Sequence, residues 1–209
     1  GLLTFAGVTL EEVQVGSTAA VNVNAPHAIM MNVLIWSLFG MFIPTAFLVS
    51  GILRDASFKT EELFFTTRVK ERAYLIGRFS GGFAVTALAF AAVPLAIMIG
   101  SIMPWLDPES VGPFVPGHYA YAYFVFGLPN LLVAGMIMFT VANLTRSTIA
   151  TYVALIGLLV LYTVSSAITS EPQYRDIAAL MDPFGFSTYG EVTRYFTAAE
   201  RNAVLPPLE

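Results

Sequence analysis

The sequence of 209 residues contains no cysteine. That excludes a disulfide framework, a thiolate metal site and a cysteine nucleophile. Charge is nearly as scarce. Asp, Glu, Lys and Arg together make up 11% of the chain, against about 25% in an ordinary soluble domain. So little charge cannot cover a water-facing surface, and lipid is therefore the expected solvent for much of the molecule. Histidine occurs only as His27 and His118, in separate segments and without H-E-x-x-H spacing, so no metal site is expected. No G-x-x-x-x-G-K-[ST] occurs, which excludes ATP binding through a P-loop. Ser165 and Ser166 have no nearby His or Lys base and read as helix packing. No catalytic residue and no cofactor site is expected in this chain.

What is present is apolar: 56% hydrophobic residues and a mean hydropathy of +0.73. About 20 apolar residues cross a bilayer as a helix. Four runs meet that length, at residues 29–53, 74–103, 119–144 and 148–168. The opening residues 1–8 read as the last two turns of another span, and the sequence as a fragment of a longer polypeptide. Residues 1–209 form a single transmembrane domain in this reading, an all-α polytopic helical bundle.

Six of the ten Lys and Arg residues lie in one stretch: Arg54, Lys59, Arg68, Lys70, Arg72 and Arg78. Positive charge beside a span stays cytoplasmic. Residues 54–73 and the turn at Arg146 are thereby assigned to the cytoplasmic side, and residues 104–118 and 169–209 to the outside. Trp105, Tyr119, Tyr121 and Tyr123 read as interfacial aromatics of the outer boundary. The net charge of −4, with the basic residues gathered in one segment, argues against a nucleic-acid partner.

Between Ile29 and Ile168 the acids are Asp55, Glu61, Glu62 and Glu71 in the basic segment, and Asp107 and Glu109 in the outer one. None is at membrane depth, which argues against an ion-coupled relay carried by this chain alone. Pro44, Pro94 and Pro129 fall inside spans and predict kinks. Asn130 is an amide inside the third span, where it reads as an intramembrane polar contact. Gly77, Gly81 and Gly82 predict close helix approach. Residues 169–209 read as an outer, interface-hugging or re-entrant helical hairpin, with a turn at Asp182-Pro183-Phe184-Gly185 and with Leu180, Met181, Phe184 and Phe186 on the membrane surface.

The stretch from Glu61 to Phe79, EELFFTTRVKERAYLIGRF, resembles the cytoplasmic connection of ABC-2-type transporter permeases. There an amphipathic helix and a Thr/Ser turn lead into a basic Gly-Arg/Lys-Phe start of the next span. Arg54-Asp55, Val93-Pro94-Leu95, the segment Met103 to Glu109, Leu128-Pro129-Asn130-Leu131, Leu144-Thr145-Arg146-Ser147 and Leu180 to Gly185 are similar to that family too. The chain looks closest to a bacterial subgroup whose permease region is continued by an M1-type aminopeptidase-like domain. RYFTAAERN and VLPPL occur there just before the sixth span. The sequence lacks most of the first span, all of the sixth and any peptidase motif, so no peptidase activity is assigned to it.

The resemblance implies a six-span half-transporter of a bacterial cytoplasmic membrane. It implies an ABC ATPase subunit that carries ATP and Mg, a second permease half or a homodimer, and membrane lipid as partners. Coupling to the ATPase would fall to Glu61, Glu62, Arg68, Lys70, Glu71 and Arg72, on an amphipathic helix with Phe58, Leu63, Phe64 and Phe65 on its apolar side. The alternative is a membrane anchor or scaffold for an associated enzyme domain, without transport of its own.

Overall fold

The computed structural model describes residues 2–9, 20–58, 70–168, 182, 184–203 and 205. Among these residues the regular elements are helices. They are α1 (Leu2–Thr9), α2 (Pro26–Arg54), α3 (Glu71–Gly100), α4 (Pro116–Thr145), α5 (Thr148–Ile168), α6 (Phe186–Thr193) and α7 (Ala198–Ala203). The helices α2, α3 and α4 are each long and apolar enough to cross a membrane, with 29, 30 and 30 residues. At 1.5 Å per residue each is roughly 43–45 Å long, against about 30 Å of hydrocarbon. The chain is a membrane protein. The fourth apolar run is the shorter helix α5, of 21 residues.

The long helices begin about three residues before the apolar runs. Pro26 and Pro116 stand at first helical positions, where a missing N–H costs nothing. Glu71 sits in the first turn of α3, where the helix dipole favours an acid. The α4–α5 turn rests on Arg146, which has φ 49° and donates its N–H to the Ala142 carbonyl at 2.9 Å. That is a left-handed helix cap, usually built on glycine. Ser147 Oγ then accepts the Ala150 N–H at 3.3 Å and opens α5.

Each proline predicted to kink a span lies beside an irregular turn. The α-helix of α2 is interrupted at Met41 and continues past Pro44 as a π-helical turn over Thr45–Val49. That of α3 is interrupted at Ala91, three residues before Pro94. In α4 a π-helical turn, Ala122–Gly127, precedes Pro129. Proline has no N–H to offer the carbonyl four residues back, so the preceding turn is free to change its winding. Several hydroxyls in the long helices bond to their own backbone instead of facing hydrocarbon unpaired. Thr45, Thr86, Thr140 and Thr151 each donate to the carbonyl four residues earlier, at 2.7 to 2.9 Å.

The chain divides into two compact units. The first comprises Gly1–Leu38, Ala91–Pro129 and Thr169–Glu209. In it α1 packs on the Ala92–Gly100 segment of α3, with Val8 against Gly100 and Phe5 edge-on to Trp105 at 6.5 Å. Ile29, Met30, Val33, Leu34, Ile97 and Phe184 are fully buried. Tyr119 is buried, with its hydroxyl 3.4 Å from Ser101 Oγ, so it is not an interfacial aromatic as predicted, whereas Trp105 is exposed. Phe184 likewise turns inward rather than onto a membrane surface. The Asp182–Gly185 turn forms: Asp182 accepts the Phe184 and Ser187 N–H groups, at 2.9 and 2.6 Å, and Gly185 takes φ 80°. Leu180 and Met181 lie outside the described residues.

The second unit comprises Phe39–Phe90 and Asn130–Ile168. The Phe42–Val49 part of α2 packs on α3, and its π-helical turn also packs on α5. Glycines admit the contacts. Gly82 lies against Leu48, Gly135 against Leu48 and Pro44, and Gly40 against Phe90 and Leu131. Of the predicted glycine face only Gly82 is used, because Gly77 and Gly81 have no neighbour where a side chain would project.

Many large apolar residues on the helices point outward, among them Phe47, Leu88, Phe124, Ile149, Val153, Ile156 and Leu161. Only half of the most apolar stretch of α2, and a third of that of α3 and of α4, is buried. Such faces are tolerable where lipid is the solvent.

Candidate functional site

The predicted functional residues divide into three groups. Glu61, Glu62 and Arg68 lie outside the described residues, as do Lys59, Leu63, Phe64 and Phe65. Lys70, Glu71 and Arg72 are exposed at the start of α3, and Arg54 is exposed at the end of α2. About two turns into α3, the Arg78 guanidinium lies 5.7 Å from the centre of the Tyr74 ring. That cation–π contact holds the charge close to its helix while the side chain reaches toward the helix start. Among the described residues, Arg54 thus stands near the end of one long helix, and Lys70, Glu71 and Arg72 at the start of the next in the chain.

Asn130 is buried, with 6% of its surface exposed, and is not without a partner. It is the fifteenth residue of the 30-residue α4, so it lies at the middle of that helix. An amide at that depth has to be paired, because hydrocarbon offers nothing to bond to.

The first unit holds a polar cluster that joins segments distant in sequence. Asn24 Nδ2 donates to the Gly112 carbonyl at 2.8 Å, and the Gly112 N–H donates back to Asn24 Oδ1 at 2.7 Å. The Val23 N–H donates to the Ser110 carbonyl at 3.0 Å. The Asn22 N–H donates to Asn202 Oδ1 at 2.9 Å, while Asn202 Nδ2 donates to the Ala20 carbonyl at 3.0 Å. Two asparagine side chains thus stand in for backbone pairing. They bind the approach to α2 to the loop before α4 and to α7.

Beside them Tyr189 packs between two rings. Its hydroxyl is 2.8 Å from His27 Nδ1, the two rings stack at 5.5 Å, and Phe126 meets it edge-on at 5.8 Å. Burial pushes the Tyr189 phenol far above its ordinary range, against an opposing pull from the Arg201 guanidinium. The phenol therefore stays protonated, 2.8 Å from His27 Nδ1 and 3.5 Å from the His27 carbonyl. The helix α7 that carries Arg201 opens with a capping box. Thr197 donates its N–H and its hydroxyl to Glu200 Oε2, at 2.7 and 2.9 Å, which holds the Glu200 carboxyl below its usual range, and Glu200 N–H donates back to Thr197 Oγ1 at 3.3 Å. Chemically this cluster is a clamp, which fastens α6 and α7 to the start of α2.

Sequence reasoning examined His27 only as a metal ligand and did not find the clamp. The available signal was Asn22-x-Asn24 directly before the Pro26 helix start, together with Thr197-x-x-Glu200. Comparison of the chain with protein-family models, curated proteins and solved structures finds no match in any of the three.

Proposed function

We propose that the chain is the membrane-spanning component of an ATP-binding-cassette exporter of the ABC-2 type. A separate subunit would bind ATP and Mg, and a second permease half or a second copy would complete the pathway. The observation that carries this reading is the charged segment between two consecutive long helices. It places Arg54 at the end of one, and Lys70, Glu71 and Arg72 at the start of the next. A load applied to the 59–69 connection would act on both helices at once. The prolines and irregular turns inside α2, α3 and α4 supply places where long helices yield without losing further backbone bonds. In this reading the segment faces the cytoplasm, where an ATPase would dock, and the chain lies in a bacterial cytoplasmic membrane.

The test is co-purification with an ATPase encoded beside this chain, followed by measurement of its turnover in the complex. The double variant Glu62→Lys with Arg68→Glu is expected to lower the turnover or to release the ATPase. A variant that assembles and hydrolyses as the wild type does counts against coupling through this segment. A chain that recruits no ATPase leaves the anchor or scaffold reading in its place.

A further inference from the structure

The second unit contains a groove of about 260 Å³ between α2 and α5. Ala46, Val49, Leu53 and Arg54 line it from α2, and Thr148 and Tyr152 from α5. The apolar residues form its floor. Arg54, Tyr152 and the hydroxyl residues Thr45, Ser50 and Thr148 supply its polar part.

Its depth in the bilayer follows from the helix. Arg54 closes the apolar run of α2 while the helix itself continues to Ser57, so this charged residue is assigned to headgroup level, with Ala46 about 12 Å further in. The surface around the groove is apolar and open: Phe47, Ile149 and Val153 beside it are 47%, 77% and 63% exposed. The apolar side of the groove is therefore suited to face lipid. The wall toward α5 includes the π-helical turn Thr45–Val49, a form of winding that recurs at binding sites. The opposite wall is the first turn of α5, the electropositive end of a 21-residue helix.

We infer that this groove binds a phospholipid of net negative charge. The phosphate pairs with the Arg54 guanidinium, whose planar fork matches it. Ester oxygens meet the Thr148 and Tyr152 hydroxyls, and the first methylenes of one acyl chain lie along Ala46, Val49 and Leu53. The volume is below the roughly 300–1,000 Å³ of pockets that engulf a whole small molecule, as suits a site that takes only the phosphoglycerol end.

The test is native mass spectrometry of the full chain in detergent, with palmitoyl-oleoyl phosphatidylglycerol or the matching phosphatidylcholine added at equal concentration. The phosphatidylglycerol adduct is expected to dominate, and Arg54→Gln to weaken it about tenfold, the range of a lost charged hydrogen bond. Ala46→Phe keeps Arg54 and fills the exposed floor, and it is expected to weaken the adduct as well. Unchanged phosphatidylglycerol binding in both variants overturns the proposal. So does full displacement of the lipid by millimolar glycerol phosphate, which would make the groove a site for soluble phosphate.

Discussion

The hydroxyl of Tyr189 lies 2.8 Å from Nδ1 of His27, across 162 positions of sequence. Replacing Tyr189 by Phe keeps the ring and its contact with Phe126, and removes this bond together with the longer one, of 3.5 Å, to the His27 carbonyl. The expected loss is about 1 kcal/mol. The bond also predicts an alkaline response. In the unfolded chain the phenol ionises near pH 10, and in the folded protein only well above that. The stabilisation is therefore complete below pH 10 and falls as pH rises beyond it, because the unfolded state releases its proton first. Thermal melting in detergent should show wild type above Y189F at pH 8, with the gap closing toward pH 11.5. A gap that stays constant over that range would refute the assignment.

Asn24 holds both the N–H and the carbonyl of Gly112. Asn24→Ala removes two hydrogen bonds at once and leaves a loop backbone to be solvated, at a cost of about 1–3 kcal/mol. Hydrogen exchange of the Gly112 amide reads this directly. It is expected to accelerate about tenfold or more in the variant, while amides in the middle of α3 stay protected. Equal exchange in both proteins would show that the asparagine does not restrain the loop.

A methyl group at Gly82 would stand 2.9 Å from Leu48 Cδ2 and 3.1 Å from Leu48 Cα. The second atom is backbone and cannot swing aside. Gly82→Ala should therefore destabilise by about 1–3 kcal/mol, as overpacking does. Its neighbour Gly81 faces open space, so Gly81→Ala should leave the melting temperature within a degree or two of wild type. The packing of α2 on α3 is misread if both alanines behave alike.

Orientation is checked by single cysteines, which label cleanly because the native chain has none. Cysteine at Ser110 is expected to react with an impermeant reagent in intact cells, as is cysteine at Ser170. Cysteine at Ser57 should react only after the membrane is opened. Labelling of Ser57 from outside, with Ser110 protected, inverts the topology and removes the case for a cytoplasmic coupling segment.

The long helices were legible because twenty apolar residues in a row have few other uses. Their ends were not, since Pro26, Glu71 and Pro116 lie outside the apolar runs and begin helices for reasons of backbone geometry and dipole. The three prolines signalled irregular winding, but not that Thr45–Val49 and Ala122–Gly127 would become π-helical, which depends on what packs beside them. The clamp in the first unit was hidden for another reason. Asn24 pairs with Gly112 and Asn22 with Asn202, 88 and 180 positions away, and polar residues that meet only through the fold leave no local pattern. Tyr119 and Phe184 were misplaced because an aromatic near a membrane boundary looks the same whether it faces lipid or protein.

The glycines of this chain carry a consequence for how its sequence can drift. Gly40, Gly82 and Gly135 stand where any side chain would meet a neighbour within about 3 Å, whereas Gly51, Gly77, Gly81, Gly157 and Gly190 stand beside empty space. In a lineage of related chains the first group should change only together with its partners Phe90 and Leu48. The second group should change freely, alanine first. A glycine kept by composition and one kept by contact would then separate by their histories, without any further structure.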